Sequence, residues 1–98
     1  MAQVTIYTKD YCGFCARAKA LLRAKGVAFH EIDVTHDPVR EAEMIARSGR
    51  TTVPQIFIGG AHLGGSDDLA ALDAVGELDA RLDRNPAEPT RSRPNRAA

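Results

Sequence analysis

No stretch of this sequence approaches the roughly 20 consecutive apolar residues that a membrane-spanning helix needs. Its first residues, Met1-Ala2-Gln3-Val4, lack the charged and apolar regions of a signal peptide. Net charge is missing too, because 13 Lys and Arg balance 13 Asp and Glu. A nucleic-acid-binding domain normally carries a basic excess, so that class is set aside along with a membrane role. Cysteine is scarce, with only Cys12 and Cys15 in 98 residues. A structural disulfide gains stability from the loop it closes, and a two-residue gap offers almost none. The expected location is the cytoplasm, where thiol pools keep cysteines reduced. The three histidines, His30, His36 and His62, are scattered without ligand spacing, which argues against the four-ligand set of a structural zinc site.

What is present reads as one small globular domain with a modest core: 44% of residues are hydrophobic and 27% charged. Residues 85–98, NPAEPTRSRPNRAA, hold three Pro and no large apolar side chain, and are expected to form a disordered tail. Three Arg against one Glu give that tail an excess of +2 and leave residues 1–84, the expected folded domain, at −2.

Local patterns order the domain. Residues 3–8, QVTIYT, read as a strand. Residues 12–25 read as a helix with Ala18, Leu21 and Leu22 on its inner face and Gly26 as its stop. Residues 27–34 suit a second strand, and Asp37-Pro38 opens a helix running to about Ser48 and ending at Gly49. Residues 55–58, QIFI, a Gly59-Gly60 turn and residues 61–63 form a hairpin. Ser66 is the expected cap of one last helix, with Asp67 and Asp68 in its first turn and Leu69, Leu72, Val75, Leu78 and Leu82 on its inner face. The order β-α-β-α-β-β-α predicts an α/β fold. Its four-stranded mixed sheet has a parallel first pair, an antiparallel last pair and helices on its faces.

The chemistry lies in Cys12-Gly13-Phe14-Cys15. Cys12 follows a strand and opens a helix, where unpaired N–H groups and the helix dipole favour a thiolate over a thiol. It is the expected nucleophile. Cys15, one turn deeper on the same side, can attack a disulfide formed at Cys12, and its burial should keep it protonated until then. The pair can otherwise be inert core cysteines.

Around it, several residues carry two readings. Lys9 either pairs with an anionic substrate and favours the thiolate, or is an ordinary solvated lysine. Residues 64–68, GGSDD, are either a well-capped helix start or a place where free N–H groups hold a carboxylate and an Asp holds an ammonium. Phe14 covers a ligand or forms a small partner-binding patch. Pro54 belongs at a strand start, and the sequence alone does not set its peptide isomer.

Together, Tyr7-Thr8-Lys9, the Cys12–Cys15 motif, residues 49–58 (GRTTVPQIFI) and residues 64–69 (GGSDDL) closely resemble a glutaredoxin of the short bacterial dithiol type, over residues 2 to about 83. The resemblance implies a thioredoxin fold, a cis Val53-Pro54 bond, and glutathione as thiol co-substrate. It also implies a monomeric enzyme reducing protein disulfides and glutathionylated proteins. Lys9 would attract the glycine carboxylate of glutathione, Thr52 and Val53 would pair with its backbone beside Pro54, and Asp67 and Asp68 would hold its γ-glutamyl end.

Two departures stand out. Gly13-Phe14 replaces the frequent Pro-Tyr. Glu41 stands where relatives often have a Gln or a basic residue for the glycine carboxylate, with Arg40 as a possible substitute. The Cys12-Gly13-Phe14 run is also similar to monothiol glutaredoxins, which handle iron–sulfur clusters. The alternative expectation is therefore a [2Fe–2S] carrier, a dimer in which each subunit gives its first cysteine, Cys12, and one glutathione. A redoxin served directly by a flavoprotein reductase is a third.

Overall fold

The computed structural model describes residues 3–82. The expected tail therefore lies outside the described residues. Eight elements follow in order: β1 (Val4–Thr8), α1 (Gly13–Ala24), β2 (Phe29–Asp33), α2 (Pro38–Ser48), β3 (Gln55–Ile58), β4 (Ala61–Gly64), α3 (Ser66–Ala74) and α4 (Leu78–Arg81).

The sheet order is β2-β1-β3-β4. β1 runs parallel to β2, from Val4 opposite Phe29 to Thr8 opposite Asp33, and antiparallel to β3, which pairs antiparallel with β4. The predicted mixed sheet is thus present.

Side chains of a strand alternate between faces, and both faces here are covered. Val4 and Ile6 of β1 and Ile56 and Ile58 of β3 join Ala18, Leu22, Leu69, Leu78 and Leu82 in one core. Tyr7 and Phe57 point the other way and pack with Val34 and Met44 of α2 in a second. β3 is buried along its whole length as a result. The Tyr7 hydroxyl donates to Glu43 and accepts from Arg47 at 2.8 Å, which ties α2 to the sheet.

Helix ends follow the local signals with one exception. Asp37 caps α2 by accepting from the Arg40 N–H at 3.0 Å, and Gly49 closes it in the left-handed conformation. The single C-terminal helix expected from the leucine spacing is two helices. Gly76, at φ 77°, takes the left-handed conformation, its N–H bonds the Asp73 carbonyl at 3.1 Å, and the Glu77 N–H bonds the Leu72 carbonyl at 2.9 Å. That bond pair is a Schellman stop. Leu78 and Leu82 still reach the core, but Val75 is 69% exposed rather than on the inner face. The cap of α3 is Gly65, not Ser66, which is its first helical residue.

Candidate active site

Residues 9–11 carry the chain from β1 to α1. The Asp10 N–H donates to the Thr35 hydroxyl at 2.8 Å, and Tyr11 turns the chain with φ 56°. Cys12 is then the N-cap of α1, and its Sγ accepts the Cys15 N–H at 3.1 Å. The sulfur does what a serine or aspartate oxygen does at other helix starts. That bond, with the positive end of the helix, stabilises negative charge on the sulfur. Cys12 is part-exposed, and its Sγ lies 3.9 Å from the Val53 carbonyl oxygen.

Cys15 differs in its burial. It is 2% exposed. Burial pushes its thiol up to about 12, with the hydrogen bond to Cys12 adding to the rise. Cys15 stays protonated through the neutral range. Both cysteines are free thiols.

The Val53-Pro54 bond is cis. Beside it runs a groove of about 280 Å³, walled by Phe14, Thr52, Val53, Pro54, Asp67 and Asp68. The structure thus brings six of the predicted site residues together on one surface. Phe14 is 56% exposed, with the Arg17 guanidinium 5.7 Å from its ring centre. Buried Gln55 fixes the Thr52 turn, donating to the Thr52 carbonyl at 3.0 Å and to its hydroxyl at 3.1 Å. Among the described residues the Val53 N–H has no hydrogen-bond partner.

The two aspartates are not equivalent. Asp68 Oδ2 accepts the Gly65 N–H at 2.9 Å and an Arg50 N–H at 3.1 Å. Those bonds, Gly65 first, hold its carboxyl below the usual value. Gly64 permits this closeness, because a Cβ there would overlap the Asp68 carboxylate. Asp67 is exposed and has no ion pair among the described residues. Arg50 also lines the groove. In the sequence Arg50 stands inside the GRTTVP motif with no role of its own, and its place two residues before Thr52 is the signal that marks it.

Lys9 stands apart. It lines a second hollow with Cys12, Cys15 and Lys19, and its Nζ bonds Glu41 at 2.8 Å. Arg40 does not substitute there, since it pairs with Glu43 at 2.9 Å. No group of three or more His, Cys, Asp or Glu side chains among the described residues could hold a metal ion. With Cys15 buried, Cys12 is the accessible sulfur, so an iron–sulfur cluster would need further ligands from outside this chain.

Comparison with known proteins agrees with this geometry. The glutaredoxin family model matches residues 4–63. Glutaredoxin 3 of Escherichia coli K12 is 60% identical over 82 residues, covering 84% of this chain and 99% of that protein. The solution structure of glutaredoxin from Brucella melitensis is 57% identical and superposes with a TM-score of 0.75, over 84% of this chain and 89% of the other. A crystal structure of a buckwheat glutaredoxin–glutathione complex is 31% identical with a TM-score of 0.76, over 83% and 76% of the two chains. The sheet order, the cysteine pair at a helix start and these likenesses converge: the protein has the thioredoxin fold and belongs to the glutaredoxin family of thiol–disulfide oxidoreductases.

Proposed function

We propose that the chain uses glutathione to reduce glutathionylated thiols and protein disulfides. The observation that carries this is the position of Cys12 Sγ. It caps α1 beside Val53, and Val53, whose N–H is unpaired, lines one groove with the free carboxylate of Asp67. Such a groove suits an extended tripeptide, whose backbone pairs with Val53 as an added strand would. The Asp67 carboxylate takes the γ-glutamyl ammonium, the first N–H groups of α3 take the γ-glutamyl carboxylate, and Phe14 covers the ligand. Asp68, engaged with Gly65 and Arg50, holds that helix start in place.

In the reaction, the Cys12 thiolate attacks the glutathionyl sulfur of a mixed disulfide. A new S–S bond forms and the old one breaks. The electron pair leaves with the substrate thiolate, which takes a proton from water. A second glutathione thiolate then attacks the bound glutathionyl sulfur, forming glutathione disulfide and returning the Cys12 thiolate. With a protein disulfide, Cys12 forms the mixed disulfide and Cys15 then attacks the Cys12 sulfur. The Cys12–Cys15 disulfide forms as the bond to the substrate breaks and the substrate thiolate leaves. Two glutathione thiols reduce that disulfide and become glutathione disulfide. For its attack Cys15 must first lose a proton that its burial holds firmly. Deglutathionylation makes no such demand on Cys15. A reducing, glutathione-rich compartment such as the cytoplasm suits this chemistry.

The test is a glutathione-coupled assay on both cysteine variants. Cys12→Ser should abolish both activities. Cys15→Ser should keep most deglutathionylation and lose dithiol-dependent protein reduction. An active Cys12→Ser enzyme would refute the assignment.

A further inference from the structure

Three cations line the groove and the neighbouring hollow that holds Cys12, and each is already bonded to a carboxylate. Lys19 Nζ lies 2.9 Å from Glu31, the Arg50 guanidinium lies 3.1 Å from Asp68, and Lys9 Nζ lies 2.8 Å from Glu41. The Glu31 and Asp68 carboxylates have further work, since Thr8 bonds Glu31 at 2.7 Å and Gly65 bonds Asp68 at 2.9 Å. Glu41 has none among the described residues. It sits in the first turn of α2 with its side chain 32% exposed, and its one polar contact is the Lys9 ammonium, itself 36% exposed. A ligand carboxylate arriving at Lys9 must displace Glu41 or share the ammonium with it. At the other end of the site Asp67 is open, so a ligand ammonium meets no such competitor.

We infer that Glu41 is a specificity-determining residue. By occupying Lys9 it weakens the reading of the ligand's C-terminal carboxylate, so the enzyme accepts mixed disulfides of γ-glutamyl thiols with an uncharged C-terminal end nearly as well as those of glutathione. Selection then rests on the γ-glutamyl end. The inference depends on the glutathione reading above and adds to it the substrate class. The effect is a modest one. A part-exposed ion pair of this kind shifts an equilibrium by about fivefold at most.

The experiment compares kcat/KM, at low salt, for one peptide carrying glutathione in mixed disulfide with the same peptide carrying the glycine monoethyl ester of glutathione. The wild-type ratio of acid to ester should lie within about twofold of one. Glu41→Gln should raise it to about five through KM for the acid, and adding Lys9→Gln should bring it back toward one. A wild-type preference for the acid well above fivefold, or a ratio that Glu41→Gln leaves unmoved, overturns the inference while the glutathione reading stands. If the wild type turns over neither disulfide, the glutathione reading falls, and this inference with it.

Discussion

Two helices contribute their first turns to the same groove, and they are capped in opposite ways. α1 begins on a sulfur: Cys12 Sγ satisfies the Cys15 N–H and is at the same time the proposed nucleophile. α3 begins on a carboxylate: Asp68 reaches back to the Gly65 N–H, and Arg50 holds it from the other side. The first cap is part-exposed and is held by one backbone N–H, so it can be consumed by chemistry and restored. The second is bonded twice and gives the ligand groove a fixed edge. A helix start thus serves as a reaction centre when its cap is nucleophilic and lightly held, and as a scaffold when its cap is tied down.

Exchanging the caps tests that contrast. Cys12→Ser keeps a hydroxyl cap and Cys12→Ala removes it. Both should lose activity by about three orders of magnitude or more, the scale on which nucleophile removal acts. Only the alanine variant should also lose about 1 kcal/mol of stability, read as a lower midpoint in urea. Equal midpoints for the two would show that the sulfur does no capping.

At α3 the neighbouring acids should separate. Asp68→Asn should cost about 1 kcal/mol in the same unfolding measurement, because the Gly65 and Arg50 bonds weaken together. Asp67→Asn should leave stability unchanged and raise KM for a glutathionylated peptide by about three- to tenfold. Reversed behaviour would exchange their roles.

The smallest effect concerns acid. Because its folded carboxyl is held low, Asp68 binds fewer protons in the folded than in the unfolded state near pH 4. Its contribution is fully present above the unfolded value, about 3.9, and is lost as pH falls through the lower folded value. Asp68→Asn should therefore flatten the fall of the thermal midpoint below pH 5. The carboxylate is about half exposed, so the change should be slight.

Much of this was legible along the chain. At Gly26 and Gly76 the same Schellman bonds stop a helix, the latter pair joining Gly76 to Asp73 and Glu77 to Leu72. Gly26 was readable because a strand pattern beginning with apolar Val27 follows it. Gly76 was not, because leucines at helical spacing continue past it and the residue after it, Glu77, is polar. Leu78 meets the same core from a second helix, so the spacing suggested one continuous face.

The site divided along the same line. The cysteine pair, its place between a strand and a helix, and the element order were set by signals a few residues long: a cap, a period, a turn. Those persist in any local window, so the sequence by itself determined them. Which charges remain free around the sulfur was decided only by the tertiary structure. Lys9 meets Glu41 across 32 positions and Arg50 meets Asp68 across 18, and Asp67 and Asp68, identical in the sequence, part company there. Electrostatic pairing depends on distance in space, and chain separation carries little information about it.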